Sequence, residues 1–173
     1  MVKIGFFASS KNEMKDKYND DVNNLLNGIN NLNIDITAVY GGGSNGIMGL
    51  VYEKFKGKIE SHNLEKWKEF PNETIHSNMF DRQRGILENS DLFIVLPGGV
   101  GTVSEMFDCI MLNDTSSFSK PVIIFNCKDY YTDLFNYIDK LVSEGASKKQ
   151  GNLYISSDVI TICNIIHHHH LSY

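Results

Sequence analysis

A regular alternation of short apolar segments with amphipathic segments constrains the fold of this chain more than any other feature. Nearly continuous apolar runs predict buried strands at residues 2–8, 34–40, 91–96 and 121–126. Between the first two runs, apolar residues recur at helical spacing from Val22 to Ile29. Strands that are apolar on both faces belong to parallel sheets covered by helices on each side. We therefore expect a single doubly wound α/β domain over residues 1–173, with a mostly parallel sheet and helices on both faces.

Residues 56–78 interrupt this pattern, because they are mostly polar and contain both Trp67 and Pro71. The strand that we expect there is a short one at residues 74–76. Elsewhere the periodicity predicts a further short strand at residues 153–155. It predicts helices at residues 12–31, 47–55, 79–89, 100–113, 129–144 and 158–168.

Composition and charge limit the classes of function that this chain can have. Its 173 residues carry a net charge of −5 without a long block of lysine and arginine. Nucleic acid and anionic membrane surfaces are therefore not expected as main partners. No apolar run approaches the roughly 20 residues that a transmembrane helix needs, and we expect a cytoplasmic protein. The cysteines Cys109, Cys127 and Cys163 are too dispersed for a metal site and are predicted to be reduced thiols.

A first glycine-rich loop follows the strand predicted at residues 34–40. Its sequence, GGGSNGIMG, contains the spacing GxGxxG and opens a predicted helix. Such loops let the backbone turn tightly and approach a phosphate group. We expect Gly42, Gly43 and Ser44 to contact substrate there, together with Ser9 at the end of the first strand, since ligands bind at the carboxyl ends of parallel strands. A dinucleotide cofactor and a purely structural turn remain alternatives for this loop.

A second glycine-rich loop, PGGVGT, follows the strand predicted at residues 91–96 and also opens a helix. Helix N-termini bind anions through their free N–H groups. The residues expected at this anion site are Gly98, Gly99, Val100, Gly101 and Thr102.

Two acids follow the second loop on one face of the predicted helix, Glu105 and Asp108. A carboxylate next to a phosphate site repels the ligand unless it faces another part of it. We interpret Glu105 as a group that faces a sugar carbon which becomes positive during a reaction. The alternative is a first-turn glutamate stabilised by the helix dipole, with Asp108 as a solvated surface acid.

An arginine-containing segment, MFDRQR, precedes the strand that leads to the second loop. Arg82 and Gln83 lie in it, and a guanidinium can bind a phosphate group with two parallel hydrogen bonds. Taken alone, such an arginine is more often a partner in a surface salt bridge.

Together, the run YGGGSNGIMGL, the arginine segment and PGGVGTVSE resemble the Lonely Guy family of cytokinin riboside 5′-monophosphate phosphoribohydrolases, which are often mislabelled lysine decarboxylases. The resemblance extends over most of the chain, including the segment KPVIIFNCKDYYTDLF. It implies a Rossmann-like fold, a homodimer, and hydrolysis of the N-glycosidic bond of an adenosine-type nucleoside 5′-monophosphate without a metal or another cofactor. It also implies that Arg82 and Glu105 are catalytic, that residues 98–102 form the phosphate loop, and that Asp108 stands where the family tends to have an acid.

The chain departs from the family at several positions. Gln83 replaces the usual lysine, Ser104 replaces the first of two adjacent acids, and residues 55–78 form a shorter segment. These departures keep open a nucleotide-binding sensor or carrier without turnover. A nicotinamide-dependent oxidoreductase is disfavoured, because Glu60 is the nearest acid at the expected distance and its segment does not resemble a second strand. Lysine decarboxylase is rejected, because no lysine lies in a recognisable pyridoxal site.

Overall fold

The computed structural model describes residues 1–115 and 117–171 as seven strands and six α-helices. The strands are β1 Val2–Phe7, β2 Ile36–Tyr40, β3 Ile59–Leu64, β4 Thr74–His76, β5 Leu92–Val95, β6 Val122–Phe125 and β7 Leu153–Ser156. The helices are α1 Asn12–Asn30, α2 Gly46–Lys54, α3 Met79–Glu88, α4 Val100–Asp114, α5 Thr132–Ser143 and α6 Val159–Leu171. Single 3₁₀ turns occupy Glu65–Trp67 and Cys127–Asp129.

The strands form one sheet in the order β4-β3-β2-β1-β5-β6-β7, and every paired strand is parallel to its neighbour. The expected α/β class is confirmed, and the sheet described is wholly rather than mostly parallel. The strand order reverses direction between β1 and β5. Such a reversal opens a crevice at the carboxyl ends of the two strands, which is where doubly wound folds bind ligands.

Helices cover both faces of the sheet. Successive side chains of each strand point to opposite faces, so an apolar strand gives both faces apolar side chains that must be buried. In β5, Leu92 and Ile94 pack in one apolar cluster with α1, α2 and α6, whereas Phe93 and Val95 pack in another with α3, α4 and α5. All four side chains are fully buried. The nearly continuous apolar runs therefore correctly predict a sheet that is covered by helices on both faces.

Strand β3 is the element that the hydrophobic pattern does not predict. Its sequence, IESHNL, is polar, yet His62 and Asn63 are almost fully buried. The Asn63 amide donates to the backbone oxygen of Trp67 and to the carboxylate of Glu73. The strand thus contains polar residues because it supports a hydrogen-bonded loop rather than an apolar layer. The short strand predicted at residues 74–76 is confirmed.

The helix boundaries follow the predicted ones closely, and local chemistry explains where they fall. Asn78 caps α3 by accepting a hydrogen bond from the Asp81 amide, at 3.0 Å. Helix α5 ends just before Gly145, whose φ of +76° is the left-handed conformation typical of a glycine that follows a helix. Within residues 1–115 and 117–171, no helix is both long and apolar enough to cross a membrane.

Candidate active site

A crevice of about 790 Å³ opens at the carboxyl ends of β1, β2 and β5, at the point where the strand order reverses. Both glycine-rich loops border it. The predicted site residues that line it are Ser9, Gly42, Gly43, Arg82, Gln83, Gly99, Val100, Gly101, Thr102 and Glu105. Three other predicted residues, Ser44, Gly98 and Asp108, do not line the crevice but contact residues that do.

The second loop presents an uncapped helix N-terminus to this crevice. Helix α4 begins at Val100, and its N-cap residue, Gly99, has no side chain that could accept from the first-turn amides. The amides of the first turn have no acceptor within a helix. A Cβ atom added to Gly99 or Gly101 would meet no atom within 4 Å, so both glycines border open space. This end of α4 is therefore suited to an anion that approaches the backbone closely.

Side chains beneath the second loop hold it in place. The Tyr130 hydroxyl donates to the Gly98 carbonyl at 2.7 Å, and the Tyr131 hydroxyl donates to the Leu96 carbonyl at 2.8 Å. Thr102 packs so tightly on Gly98 that a Cβ atom at Gly98 would overlap its side chain. The loop is thus fixed before any ligand binds.

The first loop satisfies its polar groups within the protein. The carbonyl of Gly41 accepts a hydrogen bond from Arg82 at 2.9 Å. Gly42 has a φ of +77°, and a Cβ atom there would overlap Glu73 and Asn63. The glycines of this loop are therefore required by close packing and left-handed backbone geometry.

Ser44 is engaged by a carboxylate of the same chain. Its backbone amide and its hydroxyl both donate to Oε2 of Glu69, at 2.8 and 2.6 Å. A phosphate group could reach these two donors only by displacing Glu69. The prediction that Ser44 contacts substrate remains a prediction, and in this structure its donors are occupied.

Arg82 is held by the backbone on one side and by an acid on the other. Its Nε donates to the carbonyl of His62 at 3.0 Å, and its Nη2 donates to Gly41. Its Nη1 lies 3.4 Å from Oε1 of Glu105. Because a Cβ atom at Gly41 would overlap the guanidinium, this approach requires glycine. The arginine predicted from sequence is thus buried and fixed in orientation rather than a partner in a surface salt bridge.

Glu105 faces the crevice from the second turn of α4, with only 15% of its side chain exposed. It is not a first-turn acid, so the alternative of stabilisation by the helix dipole is weakened. Burial raises the pKa of Glu105 to about 7, against the opposing effect of Arg82. A carboxylate with a pKa near neutrality, next to a fixed guanidinium, is typical of a catalytic acid or base.

Gln83 and Asp108 contact each other directly across α3 and α4, the Gln83 amide donating to the Asp108 carboxylate. Partial burial raises the pKa of Asp108, and the hydrogen bond from Gln83 opposes that shift. The pair joins the helix that carries Arg82 to the helix that carries Glu105. Asp108 therefore acts as a helix-to-helix contact and not as a freely solvated surface acid.

Sequence reasoning missed the polar network behind the first loop, which consists of Asn63, Glu69 and Glu73. Glu73 is buried and accepts from the amides of Glu69 and Phe70. These residues lie in the polar segment that gives no periodic signal, so nothing in the pattern identifies them. Within the described ranges of the chain, no three His, Cys, Asp or Glu side chains converge as a metal site requires.

The fold and the crevice define a doubly wound α/β protein in which an uncapped helix N-terminus faces a buried Arg–Glu pair. A family profile described as "Possible lysine decarboxylase" matches residues 37–161. The cytokinin riboside 5′-monophosphate phosphoribohydrolase LOG3 of Arabidopsis thaliana is 35% identical over 153 residues, which cover 83% of this chain and 70% of that protein. The LOG5 protein of the same plant is 30% identical over 168 residues, covering 90% and 72% of the two chains. The chain belongs to the Lonely Guy family.

Solved structures share the same fold at lower identity. The Moco carrier protein of Chlamydomonas reinhardtii superimposes with a TM-score of 0.69 at 16% identity, covering 99% of both chains. A structural genomics target solved by X-ray diffraction superimposes with a TM-score of 0.69 at 18% identity, covering 97% of this chain and 99% of the other. These similarities confirm the Rossmann-like architecture.

Proposed function

We propose that this protein hydrolyses the N-glycosidic bond of an adenosine-type nucleoside 5′-monophosphate, giving the free base and ribose 5-phosphate. Its curated relatives are named phosphoribohydrolases, and the chain is an enzyme of this N-glycosidase type. The observation that carries the proposal is the placement of Glu105 against Arg82, one helical turn from an uncapped helix N-terminus.

In this reaction the 5′-phosphate binds at the second loop, on the first-turn amides of α4 and next to Ser9. The charge of the phosphate is met by N–H groups and the helix dipole, which requires no metal ion. The open space beside Gly99 and Gly101 supports this assignment, because no side chain among residues 1–115 and 117–171 fills it. We assign Gly42 and Gly43 to the wall of the crevice next to the ribose and base.

The bond between C1′ and the base nitrogen breaks as the ribose acquires oxocarbenium character. Its electron pair leaves with the base, which takes up a proton from solvent, and a water oxygen bonds to C1′ and loses a proton that Glu105 passes to solvent. The Glu105 carboxylate stabilises the developing positive charge and accepts a proton from the attacking water. Arg82 fixes the position of Glu105 and, because it lines the same crevice, also positions the ribose or its phosphate group.

The experiment is to incubate the purified protein with AMP, isopentenyl-AMP and pyrimidine monophosphates and to follow base release by chromatography. We expect equimolar base and ribose 5-phosphate from an adenosine-type substrate. We expect Glu105→Gln to lower kcat by roughly 100- to 1,000-fold. Glu144→Gln, which changes an exposed carboxylate, serves as the matched control. Wild-type protein that is inactive on the whole panel would contradict the proposal.

A second candidate is a nucleotide carrier or sensor that binds without turnover. Gln83 favours it, because a neutral amide bonded to Asp108 occupies the position where the family usually has a lysine. Such a protein would retain AMP through dialysis and release no base. The same chromatographic assay therefore separates the two candidates.

We further propose a homodimer, as the family resemblance implies. Two apolar side chains beside the crevice, Phe80 and Val100, are 86% and 88% exposed in the single chain. Burying them against a second copy would remove apolar surface from water. Light scattering should give twice the mass of one chain, and Phe80→Asp should shift the protein towards the monomer.

A cytoplasmic location is also a proposal. The three cysteines are free thiols, and Cys109 and Cys127 are buried. Free thiols are typical of a reducing compartment. Cell fractionation that recovers the protein with cytosolic markers would agree with this location, and recovery with membranes or secreted protein would contradict it.

A further inference from the structure

A second carboxylate, Glu69, lines the crevice, and the reaction proposed above does not use it. It belongs to the wall segment, residues 65–73, which follows β3 and faces the first loop. Its side chain lines the crevice, as does Trp67 of the same segment. In a crevice that binds a phosphate group, an additional negative charge weakens ligand binding unless it meets a hydrogen-bond donor of the ligand.

The wall segment is built to hold this carboxylate in one place. The buried carboxylate of Glu73 accepts from the amides of Glu69 and Phe70 at 2.8 and 3.2 Å. The Phe70 ring stacks on Tyr52 with the ring centres 4.3 Å apart. Both Ser44 donors bind Oε2 of Glu69. The backbone and one oxygen of Glu69 are therefore fixed by the protein.

The other oxygen of Glu69 is available to a ligand. Oε1 lies 3.8 Å from the position of a Cβ atom at Gly43, and both residues line the crevice. Within the part of the chain that the structure describes, no hydrogen bond reaches Oε1. Ser44 donates only to Oε2, so Oε1 can still accept a hydrogen bond.

A chain of contacts connects the second loop to Glu69 and indicates which part of the ligand meets it. Glu105 of α4 contacts Arg82, and Arg82 contacts Gly41. Gly43, two residues further along the first loop, lies next to Glu69. With the phosphate on α4 and C1′ at Glu105, the base extends towards Glu69. A carboxylate oxygen accepts from an amino group and repels a carbonyl oxygen.

We propose that Glu69 is a specificity-determining residue that accepts a hydrogen bond from the exocyclic amino group of the base, an inference that rests on the proposed function. Glu69 thereby selects bases that retain at least one amino N–H. A base with a single substituent on that nitrogen keeps a donor and is accepted. A base with two substituents has none and is disfavoured.

The test compares kcat/KM for base release from AMP, N6-methyl-AMP and N6,N6-dimethyl-AMP. Wild-type protein should use the first two similarly and the dimethyl compound roughly 10-fold less well, the value of one hydrogen bond to a charged group. In Glu69→Gln, the single amide oxygen is taken by Ser44 and the NH₂ faces the base. The ratio of kcat/KM for N6-methyl-AMP to kcat/KM for N6,N6-dimethyl-AMP, which we call the preference, should therefore fall to about 1. Glu65 is an exposed neighbour outside the crevice, and Glu65→Gln should retain the preference.

Separate outcomes overturn the two proposals. If the wild type hydrolyses AMP and Glu69→Gln keeps the full preference, the role of Glu69 is wrong and the proposed function stands. If no nucleotide releases its base, the proposed function is wrong, and dissociation constants for the same three compounds then test the role of Glu69. If the wild type and Glu69→Gln bind the three compounds with the same preference, the proposed role of Glu69 is wrong as well. Ser44→Ala, which removes one anchor of Glu69, should reduce the preference by a smaller factor, and an unchanged preference counts against the proposal.

Discussion

The two glycine-rich loops leave strands on either side of β1, yet they satisfy their polar groups in opposite ways. The carbonyl, amide and hydroxyl groups of the first loop, residues 41–46, form hydrogen bonds with Arg82, Glu69 and Asn12 of the same chain. The second loop ends in an uncapped helix and borders open space. Close packing against the protein requires glycine in the first loop, whereas Gly99 and Gly101 of the second loop border open space, where we propose that the ligand binds. The same residue type thus serves the scaffold in one loop and the proposed binding site in the other.

Arg82 connects the two loops, so its replacement should have the largest effect. Arg82→Lys keeps the charge but cannot donate to both backbone carbonyls and Glu105 in one plane. We expect kcat/KM for AMP to fall roughly 100- to 1,000-fold, since positioning of catalytic groups is lost. Arg84→Lys, two residues along α3 and exposed, should stay within about 2-fold of wild type in the same assay, as surface substitutions do. Full activity in Arg82→Lys would contradict the role of Arg82 in positioning groups from both loops.

The burial of Glu105, the proposed catalytic carboxylate on the helix of the second loop, should lower the stability of the protein at high pH. Folding raises the pKa of Glu105 to about 7 from an ordinary value of 4.5. The native state therefore binds the proton more tightly than the unfolded state. This tighter binding raises the free energy of unfolding by about 3 kcal/mol below pH 4.5, and the stabilisation is lost as pH rises through 7.

Glu105→Gln removes that titration. The variant should melt roughly 6–12 °C above wild type at pH 8 and close to wild type at pH 5. Calorimetry at the two pH values checks this. A variant that is less stable at pH 8 would mean that the ion pair with Arg82 outweighs the burial of the charge. In the wild type, kcat/KM should rise with pH through an apparent pKa near 7, because the ionised carboxylate is the active form.

Alanine substitutions should separate the two kinds of glycine by stability. Gly42→Ala places a Cβ atom against Glu73 at a φ of +77° and should lower the free energy of unfolding by about 1–3 kcal/mol. Gly101→Ala lies in a helix beside open space and should raise it by up to about 1 kcal/mol. Urea unfolding measures both. Equal destabilisation of the two variants would remove the distinction between the loops.

The smallest expected effect concerns the support beneath the second loop. Tyr130→Phe removes the hydroxyl that donates to the Gly98 carbonyl and should weaken AMP binding by a few-fold, since one such hydrogen bond is worth about 1 kcal/mol. Tyr137→Phe, a half-exposed tyrosine on α5, is the control. An unchanged affinity in Tyr130→Phe would show that the loop keeps its shape without this bond.

Apolar runs and helical periodicity predicted six of the seven described strands and all six described helices, because a strand buried on both faces is apolar throughout and a helix buried on one face is apolar at helical spacing. Strand β3 was missed since its buried residues, His62 and Asn63, are polar and serve a local network. Arg82 and Glu105 were identified from motif resemblance, and their contact is seen only in three dimensions. Glu69 and Glu73 could not be predicted, because their roles depend on a loop without regular structure that folds against residues far away in sequence.

The most direct test of the account asks which loop holds the phosphate group. Gly99→Asp supplies a carboxylate cap to α4 and should fill the anion site from within, and Ser44→Ala removes a donor of the first loop. Calorimetric titration with ribose 5-phosphate avoids any contribution of the base. We predict that Gly99→Asp weakens binding by at least roughly 10-fold while the helix becomes more stable, and that Ser44→Ala binds like wild type. Loss of binding in Ser44→Ala with retention in Gly99→Asp would contradict it.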